Sequence, residues 1–311
     1  MAEPLQIPII FGPTGSGKTS IAVDAARDFA VEIISADSRA IFRKLNVGTA
    51  KPTPAQRSVL QFHLIDIIDP GERYSAFRFI DDADRAIDSI MEAGHIPLVV
   101  GGTGLYLRAL TEGVMEVAGD DNSIRQKLEC ELEEIGAAAM HRRLQQIDPV
   151  EASAVHPNNV DRVVRALEIY LTGVKKKTEL AARGSYKKSK YSFRQFCLAL
   201  PREALYEAID ARVDRMLRGG LEEEVRELVE QGEKTAVRSA NAIGYNEMVD
   251  WLDGKISREE ASDLIKRNSR RYAKRQMTWL RRMKVPTFDS TDGLKAALHE
   301  HLGSFLGRGQ S

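Results

Sequence analysis

A glycine-rich segment, Gly12-Pro13-Thr14-Gly15-Ser16-Gly17-Lys18-Thr19, fits the pattern GxxxxGK[ST]. It follows an apolar run at Ile7–Phe11, which predicts a strand, and leads into a helical pattern at Lys18–Phe29. Glycines let successive backbone N–H groups turn toward a phosphate, and the helix start adds the positive end of its dipole. We therefore expect this P-loop to hold a phosphate chain, with Lys18 supplying charge and the Thr19 hydroxyl available to Mg²⁺.

Short apolar runs alternate with helical patterns over about the first hundred residues. Further strands are predicted at Val31–Ala36 and Ile96–Val100, with a weaker candidate at His63–Ile68. Ser75–Ala93 has the periodicity of a helix. This order is typical of an α/β fold, so we predict a P-loop NTPase-like parallel sheet with helices on both faces.

The pattern changes after about Gly113 to helices and polar connectors without a convincing strand. Helices are predicted there at Ser123–Leu132, Gly136–Gln146 and Asn159–Leu171. We therefore divide the chain into a core, residues 1–113 and 193–311, and an all-helical insertion domain, residues 114–192.

The second part of the core begins with a predicted strand at Phe193–Leu200 and ends with a possible short strand at Val285–Phe288. Between them lie helical patterns at Arg202–Arg218, Gly220–Gln231 and Ala242–Leu252. A long basic helix follows, and it starts at the capping box Ser257-Arg258-Glu259-Glu260.

Composition excludes several classes of protein. Of 311 residues, 43% are hydrophobic and 29% are charged, so the chain is not mainly disordered. No run of about 18 apolar residues and no signal-peptide pattern occurs, which predicts a soluble cytoplasmic protein without membrane contact. Cys130 and Cys197 are isolated, so neither a disulfide framework nor a zinc site is indicated.

The formal net charge is zero, with 45 basic and 45 acidic residues, but the two signs are segregated. Lys266–Lys284 contains no acidic residue, and a second basic stretch comprises Lys175–Lys177, Arg183, Lys187, Lys188 and Lys190. A basic surface on a neutral protein is typical of a polyanion partner. A solvated helix face explains the same charges equally well.

Two polar residues follow predicted strands and should lie at the same sheet edge as the P-loop. Asp37 follows Val31–Ala36, and Thr103 lies in the turn Gly101-Gly102-Thr103-Gly104. Asp37 has the chemistry to accept a proton, to hold a Mg²⁺-bound water or to cap a turn. The P-loop itself leaves hydrolase, kinase and transferase open. A GTPase or motor is disfavoured because the best Walker B candidate, His63-Leu64-Ile65-Asp66, has an apolar run of only two residues.

From Gly12 to about Leu280 the chain resembles bacterial tRNA dimethylallyltransferases, also called tRNA isopentenyltransferases. The matching segments include SADS (Ser35–Ser38), HPNNVDRVVRALEIYLTG (His156–Gly173), AIGYNEM (Ala242–Met248) and RRYAKRQMTW (Arg270–Trp279). Specific to the family are GTAKP (Gly48–Pro52), GGTGLYLRAL (Gly101–Leu110) and AKRQ-x-TW (Ala273–Trp279) taken together. The resemblance implies transfer of a dimethylallyl group from dimethylallyl diphosphate to the N6 amine of the adenosine 3′ of the anticodon, in tRNAs reading codons that begin with U. It further implies release of diphosphate and a Mg²⁺ cofactor. We expect a monomer that binds the tRNA anticodon stem-loop partly through the insertion domain.

The same resemblance assigns roles to individual residues. Asp37 is expected to act as the general base, and catalysis is also assigned to Lys18, Thr19, Thr103 and Arg212. The diphosphate is assigned to Gly12, Thr14, Gly15, Ser16, Gly17, Lys18 and Thr19, and the metal to Thr19. Contacts with tRNA are assigned to Asp37, Ser38, Arg39, Ala40, Thr103, Arg125, Asp161, Arg162, Val163, Val164, Arg165, Asn241, Ala242, Ile243, Gly244, Tyr245, Lys274, Arg275 and Gln276.

Two positions depart from the family pattern, because Ala40 and Phe42 stand where a glutamine and a tyrosine are usual. Three alternatives to the tRNA enzyme also remain. A small-molecule kinase is compatible with the P-loop, and an adenylate isopentenyltransferase would share the donor but needs neither the insertion nor the basic helix. A non-enzymatic RNA-binding protein with a degenerate P-loop is disfavoured by the intact Lys18, Thr19 and Asp37.

Overall fold

The computed structural model describes residues 5–115, 122–172, 186–283 and 285–308, so Lys175–Lys177, Arg183 and Lys284 of the basic stretches lie outside it. In chain order its strands are β1 (Gln6–Phe11), β2 (Val31–Ala36), β3 (Phe62–His63), β4 (Ile96–Gly101), β5 (Val114–Met115), β6 (Tyr186–Lys187), β7 (Ser192–Leu198) and β8 (Thr287–Phe288). Its helices are α1 (Lys18–Ala25), α2 (Pro54–Arg57), α3 (Ala76–Glu92), α4 (Gly104–Thr111), α5 (Asn122–Ile147), α6 (Pro149–Ala154), α7 (Val160–Leu171), α8 (Arg202–Arg218), α9 (Leu221–Glu230), α10 (Lys234–Ser239), α11 (Tyr245–Leu252), α12 (Arg258–Leu280) and α13 (Thr291–Arg308).

Six strands form one parallel sheet in the order β3-β2-β4-β1-β7-β8, which confirms the predicted α/β class. Its central strands are apolar on both faces, as expected where helices cover both sides. Ile10 and Leu98 belong to a cluster with residues of α1 and α13, and the alternate residues Ile9 and Val99 are equally buried. Helix α3 packs on β2 and β4. The parallel arrangement brings the ends of β1, β2 and β4 to the same sheet edge.

A second apolar cluster is built from α8 to α12, with Leu221, Tyr245, Val249 and Ile265 among its buried members. The capping box predicted at Ser257 is present, since its side chain accepts from the N–H of Glu260 at the start of α12. This cluster supports the segments that border the site described below.

The chain divides into two units, Met1–Glu112 with Ser189–Ser311, and Gly113–Lys188. The second unit has a core of α5, α6 and α7 residues, including Leu128, Met140 and Leu167. The prediction that it lacks strands is wrong, because β5 and β6 pair antiparallel. Two residues per strand are too few to give an alternating pattern in the sequence. The two helices predicted within α5 meet at Gly136, which has φ 78°.

Other differences from the predicted elements have local backbone causes. The weak strand candidate His63–Ile68 stops at His63 because Leu64 and Asp66 adopt left-handed φ values of 60° and 57°. Helix α11 starts three residues after the predicted Ala242, since Gly244 (φ 102°) precedes it. Among the described residues, no helix is both long enough and apolar enough to cross a lipid bilayer.

Candidate active site

The P-loop joins β1 to α1 in a tight turn. Gly15 and Gly17 have φ values of 81° and 93°, which strain any residue with a side chain. A Cβ on Gly12 would lie 2.3 Å from the Leu198 carbonyl oxygen, so only glycine fits between β1 and β7. The first bond of α1 runs from the N–H of Ile21 to the Gly17 oxygen, and the N–H groups before it have no partner within the helix. The segment therefore has the geometry of an anion cradle.

A cavity of about 300 Å³ lies at the carboxyl edge of the sheet. Its lining includes Thr14, Lys18 and Thr19 of the P-loop as well as Asp37. Arg212 of α8 also lines it. The structure thus brings four of the five predicted catalytic residues to one cavity, and only Thr103 is not part of its lining.

The side chains of Lys18, in the P-loop, and Arg212, beside it, are two poorly solvated cations. The Lys18 ammonium donates to the Pro13 carbonyl oxygen (2.7 Å), and burial, reinforced by repulsion from Arg212, lowers the pKa of Lys18 to about 8. Arg212 donates to the Thr14 hydroxyl (3.0 Å) and to the Thr49 carbonyl oxygen (3.2 Å). Burial lowers the pKa of Arg212 as well, and the nearby Asp37 opposes this in both cations. Two desolvated positive charges favour an anionic ligand in this cavity.

Asp37 serves the turn after β2 and faces the cavity at the same time. Its Oδ1 accepts from the N–H groups of Arg39 (2.8 Å) and Ala40 (3.3 Å), so the turn-capping role predicted as one alternative is present. Its Oδ2 has no hydrogen-bond partner among the described residues. One oxygen therefore fixes the carboxylate while the other remains able to accept a proton. Arg39 donates to the Ala240 carbonyl oxygen (2.8 Å).

Thr103 contacts the Asp37 turn. Its Oγ1 accepts from the N–H of Ser38 (2.9 Å), and its own N–H donates to the Ala36 carbonyl oxygen (3.2 Å). Thr103 therefore lies behind the general-base candidate, and its catalytic role and tRNA contact stay predictions.

Helix α12 supplies one wall of the cavity through Tyr272, Arg275 and Gln276. Lys274 and Arg275 are exposed, as an RNA-contacting role requires. Gln276 was also predicted to contact tRNA; only 8% of it is exposed, and its amide is hydrogen-bonded to Thr14 and Gly102 within the protein. Its RNA contact stays a prediction.

The predicted tRNA segment at residues 241–245 divides in two. Asn241, Ala242 and Ile243 line the cavity. Gly244 and Tyr245 are buried, and the Tyr245 hydroxyl accepts from the N–H of Gly48 (3.2 Å) and donates to a Glu224 carboxylate oxygen (2.5 Å). The predicted RNA contact of the Tyr245 side chain is therefore wrong in this structure, because its ring and hydroxyl are used in the core.

The family departures at Ala40 and Phe42 fall on buried positions, each 6% exposed. Ala40 lines the cavity wall, and Phe42 packs in the apolar cluster of α8 to α12. An apolar ring suits that cluster without a hydroxyl.

In the helical unit the predicted tRNA residues differ in exposure. Asp161 and Arg162 are exposed, whereas Val163 and Val164 are buried in the unit's core, which corrects the prediction for their side chains. Arg125 forms ion pairs with Glu129 (2.6 Å), Glu168 (3.5 Å) and Asp161 (3.6 Å), and Arg165 pairs with Glu168 (3.1 Å). Their RNA contacts stay predictions.

The Walker B candidate is engaged elsewhere. Asp66 accepts from Lys51 (2.5 Å) and from Arg57 (2.9 Å), so its carboxylate is neutralised by two cations.

Lys51 and Thr49 line the cavity and were not predicted as site residues, although both lie in the specific segment GTAKP. That segment was the signal that could have found them.

Comparison with known proteins assigns the family. A family profile described as IPP transferase matches residues 40–283, and one described as Isopentenyl transferase matches residues 5–66. A curated tRNA dimethylallyltransferase 1 from Pelobacter propionicus is 45% identical over 275 residues, covering 88% of this chain and 89% of that protein. The chain belongs to the tRNA dimethylallyltransferase family. A further tRNA dimethylallyltransferase, from Thermotoga maritima, is 42% identical over 282 residues and covers 90% of each protein.

Solved structures of this family have the same fold. The full-length tRNA isopentenylpyrophosphate transferase of Bacillus halodurans aligns with a TM-score of 0.67 and 38% identity, covering 99% of this chain and all of that one. A eukaryotic dimethylallyltransferase described as acting on tRNA aligns with a TM-score of 0.73 and 30% identity, covering 88% of this chain and 69% of that one. As a member of the tRNA dimethylallyltransferase family, the chain is a transferase, which resolves the choice between hydrolase, kinase and transferase that the P-loop left open.

Proposed function

We propose that this protein transfers the dimethylallyl group of dimethylallyl diphosphate to the N6 amine of the adenosine 3′ of the anticodon, in tRNAs that read codons beginning with U. The observation that carries the proposal is that an anion cradle with Lys18 and a carboxylate with an unengaged oxygen, Asp37, line one cavity. The family membership supports tRNA as the acceptor, since the curated relatives bear that name.

The reaction forms a bond between N6 and the first allylic carbon while the bond from that carbon to the diphosphate oxygen breaks. The diphosphate leaves with the electron pair, and the N6 proton passes to Oδ2 of Asp37. Lys18, Arg212 and the N–H groups at the start of α1 stabilise the charge that develops on the leaving group. The carboxylate assists because the adenine amine is a weak nucleophile whose lone pair is delocalised into the ring.

A Mg²⁺ ion fits this donor set. The Thr19 hydroxyl is exposed at the cavity, and Mg²⁺ commonly takes one or two protein oxygens together with phosphate oxygens and waters. Bound there, Mg²⁺ would neutralise charge on the departing diphosphate.

The acceptor adenosine must leave the base stack of the anticodon loop to reach Asp37. Asn241, Tyr272 and Arg275 line the same cavity and offer polar and aromatic contacts to an extruded base. Lys274 and Arg275 are placed to contact neighbouring phosphates. We propose that the protein acts in this way as a monomer in the cytoplasm, with the helical unit binding the anticodon stem.

The test is incubation of the purified protein with unmodified tRNA and labelled dimethylallyl diphosphate in Mg²⁺. Label should appear on the adenosine 3′ of the anticodon, and a Lys18→Met variant should transfer far less. A parallel reaction with adenosine monophosphate tests the adenylate isopentenyltransferase alternative. Transfer to the free nucleotide, or none to tRNA by folded protein, would overturn the proposal.

A further inference from the structure

Gln276 links the two turns that border the cavity. Its Oε1 accepts from the Thr14 N–H (2.9 Å), and its Nε2 donates to the Gly102 carbonyl oxygen (2.7 Å). Thr14 and Gly102 follow different strands, β1 and β4. The close approach of the Gln276 side chain to the backbone at residue 102 requires glycine there. A Cβ on Gly102 would lie 2.6 Å from the Gln276 amide nitrogen and 3.0 Å from the Gly12 carbonyl oxygen.

The P-loop residue that Gln276 binds is held from a second side. Arg212 donates a hydrogen bond to the Thr14 hydroxyl (3.0 Å). The N–H and the hydroxyl of Thr14 therefore both have hydrogen-bond partners within the protein. Thr14 is therefore fixed before any anion arrives, and the N–H groups at the start of α1 remain for the ligand. Preorganised hydrogen-bond donors bind and stabilise a negative charge better, because little conformational entropy is lost when the ligand binds.

The turn that contains Gly102 makes a second contact with α12 and also contacts the turn of the general-base candidate. The Trp279 ring lies against Gly104, where a Cβ would be 2.8 Å from the ring. Thr103, between these glycines, accepts from the N–H of Ser38, the neighbour of Asp37. A connected path of contacts thus runs from the P-loop through Gln276 to the carboxylate of Asp37.

We propose that Gln276 is a positioning residue that sets the P-loop against the Thr103 turn, and so aligns the allylic diphosphate with Asp37. The alignment with Asp37 rests on the proposed function, whereas the effect on diphosphate binding does not. Gln276 acts through its hydrogen bonds to Thr14 and Gly102. Its helix also carries Arg275 at the cavity, so the RNA-facing side of α12 is attached rigidly to the donor site.

The experiment compares Gln276→Met with Thr278→Ala. Methionine is similar in length and removes both hydrogen bonds. Thr278 is exposed on the same helix, and its hydroxyl donates a hydrogen bond to the Lys274 carbonyl oxygen. Dimethylallyl diphosphate binding is measured by calorimetry without tRNA, tRNA binding without the donor, and transfer under single-turnover conditions with both saturating. Melting by circular dichroism checks that each variant folds.

Gln276→Met should weaken donor binding by about tenfold, the equivalent of losing one to two net hydrogen bonds, and should slow single-turnover transfer at least as much. Its tRNA affinity should stay within about twofold of the wild type, since exposed phosphate contacts are untouched. Thr278→Ala should change none of the three measurements.

Gln276→Glu provides a pH readout that a purely structural role would not give. Its carboxylate accepts from Thr14 but faces the Gly102 oxygen without a proton, whereas the protonated acid donates to that oxygen as glutamine does. Burial at this position and the facing carbonyl oxygen should raise the pKa of the introduced carboxyl above its ordinary value. Donor affinity, relative to the wild type at each pH, should therefore recover as the pH falls from about 8 to about 5.

Three results would overturn the proposal. Gln276→Met weakens tRNA binding and leaves donor binding intact, or it alters neither, or Gln276→Glu shows no recovery at low pH. If donor binding responds as expected but the wild type transfers nothing to tRNA, the positioning role stands and the proposed function fails.

Discussion

Raising the pH from 7 to 9 should weaken the binding of dimethylallyl diphosphate, in the absence of tRNA, by about tenfold. The reason is the Lys18 ammonium, whose pKa burial and Arg212 lower to about 8. With that pKa, about nine-tenths of the free protein carries the charge at pH 7 and about one-tenth at pH 9. If the charged form is the one that binds, the apparent affinity falls in the same ratio, which is about 1.4 kcal/mol.

The same coupling predicts proton uptake on binding. The bound diphosphate favours the charged ammonium and raises the pKa of Lys18, so at pH 8 about half a proton should enter per ligand bound. Isothermal titration calorimetry in two buffers of different ionisation enthalpy measures this uptake and the affinity together. The donor suits this assay because a terminal phosphate, with a second pKa of about 6, is mostly ionised from pH 7 upward.

Lys18→Arg is the matched control, since a guanidinium stays charged at pH 9. Its donor affinity should be nearly equal at pH 7 and pH 9, and its proton uptake should vanish. If Lys18→Arg keeps the wild-type decline and uptake, another group titrates and the assignment to Lys18 is wrong.

Further predictions concern stability, chemistry and RNA binding. The pKa of Lys18 in the folded protein lies below its ordinary 10.5, so burying the charged ammonium lowers the free energy of unfolding at low pH. This penalty disappears as the pH rises from about 8 to 10.5. Lys18→Met should therefore raise the melting temperature of the ligand-free protein at about pH 7 and lose this advantage by about pH 10. Asp37→Asn keeps an oxygen for the Arg39 N–H but no base, so turnover should fall by about 10²–10⁴ with both substrate affinities nearly unchanged in equilibrium binding assays. Replacing Lys274 and Arg275 by glutamine should flatten the dependence of tRNA affinity on salt by about 0.7 per lost phosphate contact. An Arg27→Gln control, in the turn that follows α1, should leave the slope unchanged; an unchanged slope in the double variant would place the RNA on another surface.

Local sequence signals predict much of this fold because they act over a few residues. Glycines with φ near 80° to 90° make the P-loop, and β-branched runs make β2 and β4, so their positions are readable from the chain. The bounds of helix Arg202–Arg218 coincide with the prediction. The long α13 was not predicted; its Leu294, Leu298 and Leu302 fill the face of the sheet beside α1.

The roles of side chains depend on contacts between distant residues, and here the sequence is a weaker guide. Gln276 lies in a basic stretch that predicts RNA contact, yet its partner Thr14 is 262 residues away. Tyr245 and Val163 lie in segments assigned to RNA, but helical periodicity turns their side chains into the core. Arg270, one of the basic residues of α12, is paired with both oxygens of Asp210, so it is held within the protein.

The central claim is that the cavity shared by Lys18 and Asp37 prenylates tRNA. The most direct measurement is mass spectrometry of tRNA nucleosides from cells that carry the wild type, Asp37→Asn or no copy of this chain. The account predicts a dimethylallyl adenosine 3′ of the anticodon with the wild type and its near absence in the other two. An equal amount of that nucleoside in all three would contradict it.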